Sequence, residues 1–403
     1  MRYGLLGEHL EHSVSPKLHR LLGDDSYELL EVAPQKLEHF LKTLNFDGIN
    51  VTIPYKKAVV PYCNSLSESA QRIGCVNTLV RRKDGSLHGE NTDYDGFLWL
   101  LERNGGIRAG EKALILGSGG ASLTVQAVLS SFGAECIVVS RNGETDYVNY
   151  TKHNDAVLLV NTTPVGMYPD NGNCLVNLAA LPHLRCVLDL VYNPLKTELL
   201  LQAERLGIPC ENGLSMLVGQ GVAARRLWTG KTCAQEEREQ ILCKLSSQMR
   251  NIILIGMPGC GKSSVGRLLA QKTGREFYDS DAWIEEKYGP IPTFFAQFGE
   301  EAFRNVETEA LRALSAKTGC VIATGGGCVM REENLQLLRQ NGRIIWLQRP
   351  TNELSTENRP ISQSTDLDAL YALRRPLYEK FADMRIENVT AEQAALEIME
   401  EFI

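Results

Sequence analysis

Asn251-Ile-Ile-Leu-Ile-Gly-Met-Pro-Gly-Cys-Gly-Lys-Ser-Ser264 begins as an apolar strand and runs into a glycine loop that ends on a lysine and two hydroxyls. Its second half fits G-x-x-x-x-G-K-[ST], the phosphate-binding loop. In such a loop the backbone amides cradle a β-phosphate, Lys262 bridges the β- and γ-phosphates, and the Ser263 hydroxyl ligates Mg²⁺. Gly259, Cys260, Gly261, Lys262, Ser263 and Ser264 are therefore the candidate ATP-binding residues. A second, different glycine loop lies far upstream, where Lys112-Ala-Leu-Ile-Leu116 enters Gly117-Ser-Gly-Gly-Ala-Ser122. That strand-to-loop pattern suits a dinucleotide. One chain thus carries the marks of a redox site and of a phosphoryl-transfer site.

The 403 residues exceed one ordinary core and imply two or three domains. Hydrophobic residues at 43% and charged residues at 23% are those of a soluble globular protein. A net charge of −7 argues against a broad nucleic-acid surface, though not against local arginine pockets for anions. The eleven cysteines include no Cys-x-x-Cys pair and read as reduced thiols of a cytoplasmic protein. Met1–Gly7 is too short an apolar run for a signal peptide, and no apolar run reaches the length of a membrane span.

Apolar strands alternate with amphipathic helical segments, which predicts parallel α/β sheets. Residues 1–93 give strands near Tyr3–Gly7, Tyr27–Val32 and Gly48–Thr52, with helices from Pro16, Pro34 and Lys56. Residues 94–212 form a nucleotide unit around the Gly117 loop, with strands at Cys136–Ser140, Ala156–Asn161 and Val187–Leu190. Residues 213–245 read as helical and return to the first unit; their run Gln235–Gln240 reads as a solvated face. A junction at Ser246–Arg250 leads into the third unit, 250–403.

In the nucleotide unit, Gly117, Gly119, Gly120 and Ala121 let the backbone approach a pyrophosphate at a helix N-terminus. The next strand ends on Ser140-Arg141-Asn142, where an acidic residue would favour NAD. Arg141 suits a 2′-phosphate instead and favours NADP. Upstream, His12-Ser-Val-Ser-Pro16 places hydroxyls before a helix, where they could cap it or hold a carboxylate. Asn50-Val-Thr-Ile-Pro-Tyr-Lys56 puts a lysine after a strand end, and Cys75–Thr78 and Glu90–Asp93 add amides and a carboxylate in polar turns.

Together with Asn161–Met167 and Asn212–Gln220, these strings resemble the shikimate dehydrogenase family. All seven family strings occur here in order across residues 1–245. The resemblance implies an open α/β substrate domain (1–93 plus 213–245) and a Rossmann NADP domain (94–212). It implies that Ser13 and Ser15 hold the substrate carboxylate, that Tyr192 reaches it, and that Thr52, Asn77, Asp93 and Gln220 bind the ring hydroxyls. Lys56 and Asp93 become the acid/base pair, and Gly213 and Met216 lie against the nicotinamide. Reducing a ketone leaves negative charge on oxygen, which a nearby ammonium stabilises and protonates. The chain departs from the family in its short interval between Arg141 and Asn161, where a helix is expected to be shortened or missing, and in Ser140 and Asn142 beside the arginine.

Downstream of the phosphate loop, Phe277-Tyr-Asp-Ser-Asp281, Phe303–Glu307, Ala323-Thr-Gly-Gly-Gly327, Asn358–Ile361 and Arg374–Tyr378 follow in order. This set resembles shikimate kinase, a P-loop domain with a parallel sheet, over 250–403. The resemblance implies that Asp279 lies near the Mg²⁺ shell and that Asp281 binds the shikimate hydroxyls and is the candidate base. Arg304 and Arg374 would grip the carboxylate, and Gly326 would let the backbone approach the ring. Arg359 would contact ATP phosphates from a lid, Thr351–Arg359, that lacks the second basic residue common in relatives; Arg349 is a candidate substitute.

The joint reading is a bifunctional enzyme that reduces 3-dehydroshikimate to shikimate with NADPH and then phosphorylates shikimate with MgATP. Its partners would be these small molecules, with no nucleic acid and no membrane. Three alternatives stay open at this point. The first half could prefer quinate with NAD; the kinase half could take another small molecule, such as gluconate; one half could be a regulatory or scaffolding remnant.

Overall fold

The computed structural model describes residues 2–10, 13–24, 26–43, 46–354 and 367–402. The chain divides into two compact units, Met1–Tyr192 with Thr197–Leu245, and Asn193–Lys196 with Ser246–Ile403. No helix among the described residues is long and apolar enough to cross a membrane.

The first unit holds two sheets. One comprises β1 (Tyr3–Gly7), β2 (Tyr27–Glu31), β3 (Gly48–Val51), β4 (Ser65–Leu66), β5 (Thr78–Arg81) and β6 (Leu87–Glu90), in the order β2-β1-β3-β5-β6-β4. Its apolar positions, among them Leu6, Ile49, Val51 and Leu79, form one core with Tyr55 and Phe46. Helices α1 (Ser15–Leu21), α2 (Leu37–Thr43), α3 (Tyr55–Ala58) and α4 (Glu68–Ile73) connect the strands. A 3₁₀ turn at Pro34–Lys36 precedes α2, so the helix expected from Pro34 starts later.

This sheet is mixed, not parallel as expected. β5 runs antiparallel to both β3 and β6. The cause is a hairpin in which Asp84 accepts from the Ser86 N–H at 2.9 Å and Gly85 adopts a φ of 84°. Thr78 and Glu90, read as parts of polar turns, are directly paired strand residues.

The second sheet is parallel: β7 (Lys112–Leu116), β8 (Glu135–Val139), β9 (Leu158–Asn161), β10 (Cys186–Asp189) and β11 (Cys210–Asn212), in the order β11-β10-β9-β7-β8. Between β8 and β9 stands only a 3₁₀ turn at Tyr150–His153, the abbreviated crossover expected from the short interval. Helices α5 (Asp93–Arg103), α6 (Gly120–Ser131), α7 (Glu198–Arg205) and α8 (Leu214–Thr229) complete the layer.

α9 (Gln235–Met249) runs through the expected junction at Ser246–Arg250. No glycine or proline interrupts it, and Leu245 and Met249, four residues apart, are fully buried on one face. Most of Gln235–Gln240 is exposed, and Glu239 pairs with Arg103.

The second unit has one parallel sheet: β12 (Asn251–Ile255), β13 (Phe277–Asp279), β14 (Val321–Ala323), β15 (Gly342–Gln348) and β16 (Met384–Glu387), in the order β13-β14-β12-β15-β16. Central β12 is buried along its whole length, as its unbroken apolar run requires. Around it lie α10 (Lys262–Thr273), α11 (Ser280–Tyr288), α12 (Ile291–Ser315, broken at Gly299), α13 (Glu332–Asn341), α14 (Leu367–Phe381) and α15 (Ala391–Phe402).

In the first unit, α5 crosses α8 at Gly96, where an added Cβ would stand 2.4 Å from the Met216 carbonyl oxygen. In an ordinary helix Gly→Ala is stabilising by about 1 kcal/mol. Here the obstruction is backbone, so Gly96→Ala should instead lower stability by roughly 1–3 kcal/mol. Urea unfolding of the variant checks this; an unchanged or raised midpoint contradicts the close crossing.

Candidate active sites

The first site is assembled where strands of the mixed sheet end. β3 delivers Lys56 on α3, and β6 leads into Asp93, the first residue of α5. Lys56 Nζ lies 2.6 Å from Asp93 Oδ2. Burial, the largest influence on Lys56, disfavours its ammonium, but the charge and hydrogen bond of Asp93 outweigh it and hold the pKa above the ordinary lysine value. The lysine is thus a cation at neutral pH, fit to stabilise an oxyanion and release a proton to it.

A buried polar chain fixes the start of α5. Tyr27 donates to Asn50 Oδ1 (2.8 Å), Asn50 Nδ2 donates to Thr78 Oγ1 (3.0 Å), and the Thr78 and Thr92 hydroxyls lie 2.9 Å apart. Asn77 Oδ1 accepts the Thr92 N–H at 2.7 Å, one residue before Asp93. Asn50, Thr78 and Thr92 were not singled out from sequence, although each sits inside a quoted string.

The other expected residues fall around this pair. Thr52 follows β3, and its N–H donates to the Leu6 carbonyl at the end of β1. Gln220 is buried on α8, where an added Cβ on Gly96 would lie 3.1 Å from its backbone nitrogen; Gly96 is three residues from Asp93. Ser13 Oγ accepts the N–H of buried Ser15 at 3.3 Å, so part of its role is local. Half-buried Tyr192 follows β10 at a distance of three residues, and burial raises its pKa. Ser13, Ser15 and Tyr192 make no hydrogen bond to Lys56 or Asp93.

The second glycine loop joins β7 to α6. Gly117 has φ 102°, and the space of its missing Cβ is occupied by Thr162 and Thr163. Gly119 and Gly120, by contrast, have no atom within 4 Å of a built Cβ, so this side of the loop is open. The first turn of α6 holds no acidic residue, leaving its N–H groups and dipole available to an anion. Ala121 and Arg141 are exposed, and Arg141 pairs with no carboxylate among the described residues. Gly213 packs against the Leu190 carbonyl just before α8, with Met216 half-buried one turn on.

Beneath these loops Asp189 is fully buried at the end of β10. Its oxygens accept from Thr197 Oγ1 (2.5 Å), Asn161 Nδ2 (2.8 Å) and the Val191 N–H (3.0 Å). All three donors are neutral. Burial therefore dominates and pushes the carboxyl up to about 6, with the hydrogen bonds pulling the other way. The folded chain binds this proton more tightly than the unfolded chain does. Its contribution to stability accordingly falls as pH rises from the unfolded value through about 6, and is constant above. Asp189→Asn removes that slope. Relative to wild type, the variant should gain on the order of 2–3 kcal/mol between about pH 4.5 and 7.5 in urea unfolding; a difference that does not change with pH contradicts the buried carboxylate.

The third site surrounds the loop between β12 and α10. Lys262 is buried and its Nζ donates to the carbonyls of Gly256 (2.8 Å) and Met257 (2.9 Å). Ser263 Oγ donates to Asp279 Oδ2 at 2.6 Å. Asp279 in turn caps α11, accepting from the Asp281 N–H at 3.0 Å. A hydroxyl beside a carboxylate is the hard-oxygen pair that suits Mg²⁺ held mainly by phosphates, and the described residues contain no cluster of three or more His, Cys, Asp or Glu that would hold a metal by itself.

Asp281, Arg304, Gly326 and Arg374 converge on the turn Gly325–Gly327. A Cβ on Gly325 would lie 2.7 Å from Asp281 Oδ1, and one on Gly327 would strike the Arg304 guanidinium. Gly326 O accepts from Arg374 Nη1 (3.1 Å) and the Tyr378 hydroxyl (2.6 Å). Arg304 pairs with buried Glu307 at 2.7 Å and with Glu300 at 3.1 Å. Burial raises the Glu307 pKa while Arg304 opposes it. Glu307 and Tyr378, part of quoted strings but given no role there, are thus built into the site. Arg349 pairs with Glu353 at 3.2 Å, and Arg359 lies outside the described residues.

Fold and sites are those of a nucleotide-dependent dehydrogenase joined to a P-loop phosphotransferase. Comparison with known proteins makes this specific. Residues 5–79 match the family model of the shikimate dehydrogenase substrate binding domain, and 213–240 that of the shikimate 5'-dehydrogenase C-terminal domain. Residues 258–403 match shikimate kinase. The NADP(+) shikimate dehydrogenase of Clostridium perfringens strain 13 is 37% identical over 268 residues, covering 60% of this chain and 98% of the relative. The structure of the Thermus thermophilus shikimate 5-dehydrogenase, in complex with NADP(H) and shikimate, superposes with a TM-score of 0.55 at 35% identity, covering 61% of this chain and 99% of that one. A quinate dehydrogenase from Corynebacterium glutamicum, in complex with NAD, gives 0.55 at 28% identity over 60% and 98%. The chain belongs to the shikimate dehydrogenase family and carries a shikimate kinase domain, which makes it a bifunctional enzyme of the shikimate pathway.

Proposed function

We propose that the chain works in the direction 3-dehydroshikimate to shikimate to shikimate 3-phosphate, the first step with NADPH and the second with MgATP. The observation that carries this is the presence, in one chain, of matches to two families named for the same metabolite. The substrate domain is 1–93 with 213–245, the NADP domain 94–212 and the kinase domain 250–403. The setting is cytoplasmic, which suits eleven cysteines that form no disulfide among the described residues.

In the first site Ser13, Ser15 and Tyr192 take the substrate carboxylate, and Thr52, Asn77, Asp93 and Gln220 take the ring hydroxyls. Lys56 donates its proton to the carbonyl oxygen as charge develops there, and Asp93 keeps the ammonium oriented through their 2.6 Å contact. NADPH supplies the hydride when bound; Gly117, Gly119, Gly120 and Ala121 would hold its pyrophosphate, Arg141 its 2′-phosphate, and Gly213 and Met216 its nicotinamide. In the second site Arg304 and Arg374 clamp the carboxylate, and Asp281 accepts the proton of the attacking hydroxyl. Lys262 leaves the loop carbonyls for the β- and γ-phosphates, which Arg359 would also contact. Ser263, with Asp279 beside it, would hold Mg²⁺, which would neutralise phosphate charge.

Two variants separate the sites. Lys56→Ala should lower NADPH-dependent reduction by about 10²- to 10⁴-fold, the scale of a general acid, and leave phosphorylation intact. Equal loss of both activities would mean unfolding instead. Lys262→Ala should abolish shikimate phosphorylation with NADPH oxidation unchanged; a parallel fall in reduction contradicts two independent sites.

A further inference from the structure

Asn388 stands immediately after β16, far in sequence from the phosphate loop, and no role has been given to it so far. It is 5% exposed. Its backbone N–H donates to the Gln348 carbonyl at 2.8 Å, which pins it to the end of β15. Its side-chain Nδ2 donates to the Cys260 carbonyl, inside the phosphate loop, at 2.6 Å. The Cys260–Gly261 peptide is trans, so its C=O and N–H point in opposite directions. Holding the carbonyl on the Asn388 side therefore turns the Gly261 N–H to the other side.

Two further observations show how closely this contact is built. Gly261 has φ 94°, and an added Cβ would stand 2.3 Å from Asn388 Nδ2. A side chain at 261 is thus opposed both by the backbone conformation and by the amide packed against it. Asn388 Oδ1, meanwhile, is buried with no hydrogen-bond partner among the described residues. A buried acceptor left unpaired lowers stability. Lys262 occupies the Gly256 and Met257 carbonyls, so those of Gly256, Met257 and Cys260 are all held by side chains.

We propose that Asn388 is a positioning residue for phosphoryl transfer, holding the Cys260–Gly261 peptide so that the Gly261 N–H faces the nucleotide phosphates. The inference rests on the kinase reading of this site. It adds a residue that follows the last strand of the sheet to the nucleotide machinery.

The test uses the full chain, with NADPH oxidation as a check on the unaltered half. Asn388→Ala removes the donor, and Asn388→Asp keeps the shape but sets an acceptor against the Cys260 carbonyl. Asn388→Ala should raise the KM for ATP, and the Kd for MgADP by calorimetry, by roughly 5- to 50-fold. The KM for shikimate should stay within about twofold, since its arginines are not touched. Asn388→Asp should be worse than Asn388→Ala, because it adds repulsion to the loss. If Asn388→Ala fails to fold, Asn388→Asp decides by the same measurements. Nucleotide constants within twofold of wild type, with only the melting temperature lowered, overturn the proposal. So does an equal rise in the shikimate KM, which would indicate general distortion. The MgADP measurement needs no acceptor. A wild-type chain that fails to phosphorylate shikimate would count against the kinase reading, while MgADP affinity would still decide the role of Asn388.

Discussion

Parallel strands end on one edge of their sheet, and that edge is where every candidate site in this chain is built. β7 runs into the open glycine loop and α6; β12 runs into the phosphate loop and α10; β13 ends on Asp279 as α11 begins. α6 and α10 have no side-chain cap and no acidic residue in their first turns, which suits an anion there, whereas α11 is capped by Asp279. The mixed sheet uses the same device in a different form. There, β3 and β6 lead into the two short turns that bring Lys56 and Asp93 together, across a sheet containing an antiparallel hairpin.

Charge is placed on this frame in three ways. Lys56 and Asp93 form a partly buried pair in which the carboxylate holds the ammonium against desolvation. Arg304 and Glu307 form a nearly fully buried pair, in which an internal anion holds the guanidinium. Asp189 has neutral partners only, and its burial lifts it toward neutrality. Asp189 ties the end of β9 to the loop after β10 through Asn161 and Val191.

Much of this was legible in the sequence because glycine and lysine spacing is dictated by phosphate chemistry, and because apolar runs such as Asn251–Ile255 permit few other readings. The parallel sheets around Gly117 and Gly256 follow from that alone. The hairpin of β5 and β6 was missed, since four-residue strands with only partial alternation give little periodicity, although Asp84-Gly85 was a turn signal. The junction expected at Ser246–Arg250 begins where the two units divide, but it is helical there, because α9 continues to Met249 without a breaker. Roles carried by buried polar side chains escaped for a different reason. Asn50, Thr78 and Asn388 act through contacts with residues far away in the chain, and nothing in their local sequence announces a partner.

The central claim is that two sites in one chain act in turn on one metabolite. Its most direct test is to supply the purified full-length protein with 3-dehydroshikimate, NADPH and MgATP. NADPH absorbance is followed while shikimate 3-phosphate is detected by mass. The account predicts NADPH loss accompanied by the phosphorylated product, with phosphate appearing only when NADPH is present. NADPH loss with shikimate accumulating unphosphorylated, or no reduction at all, would contradict it.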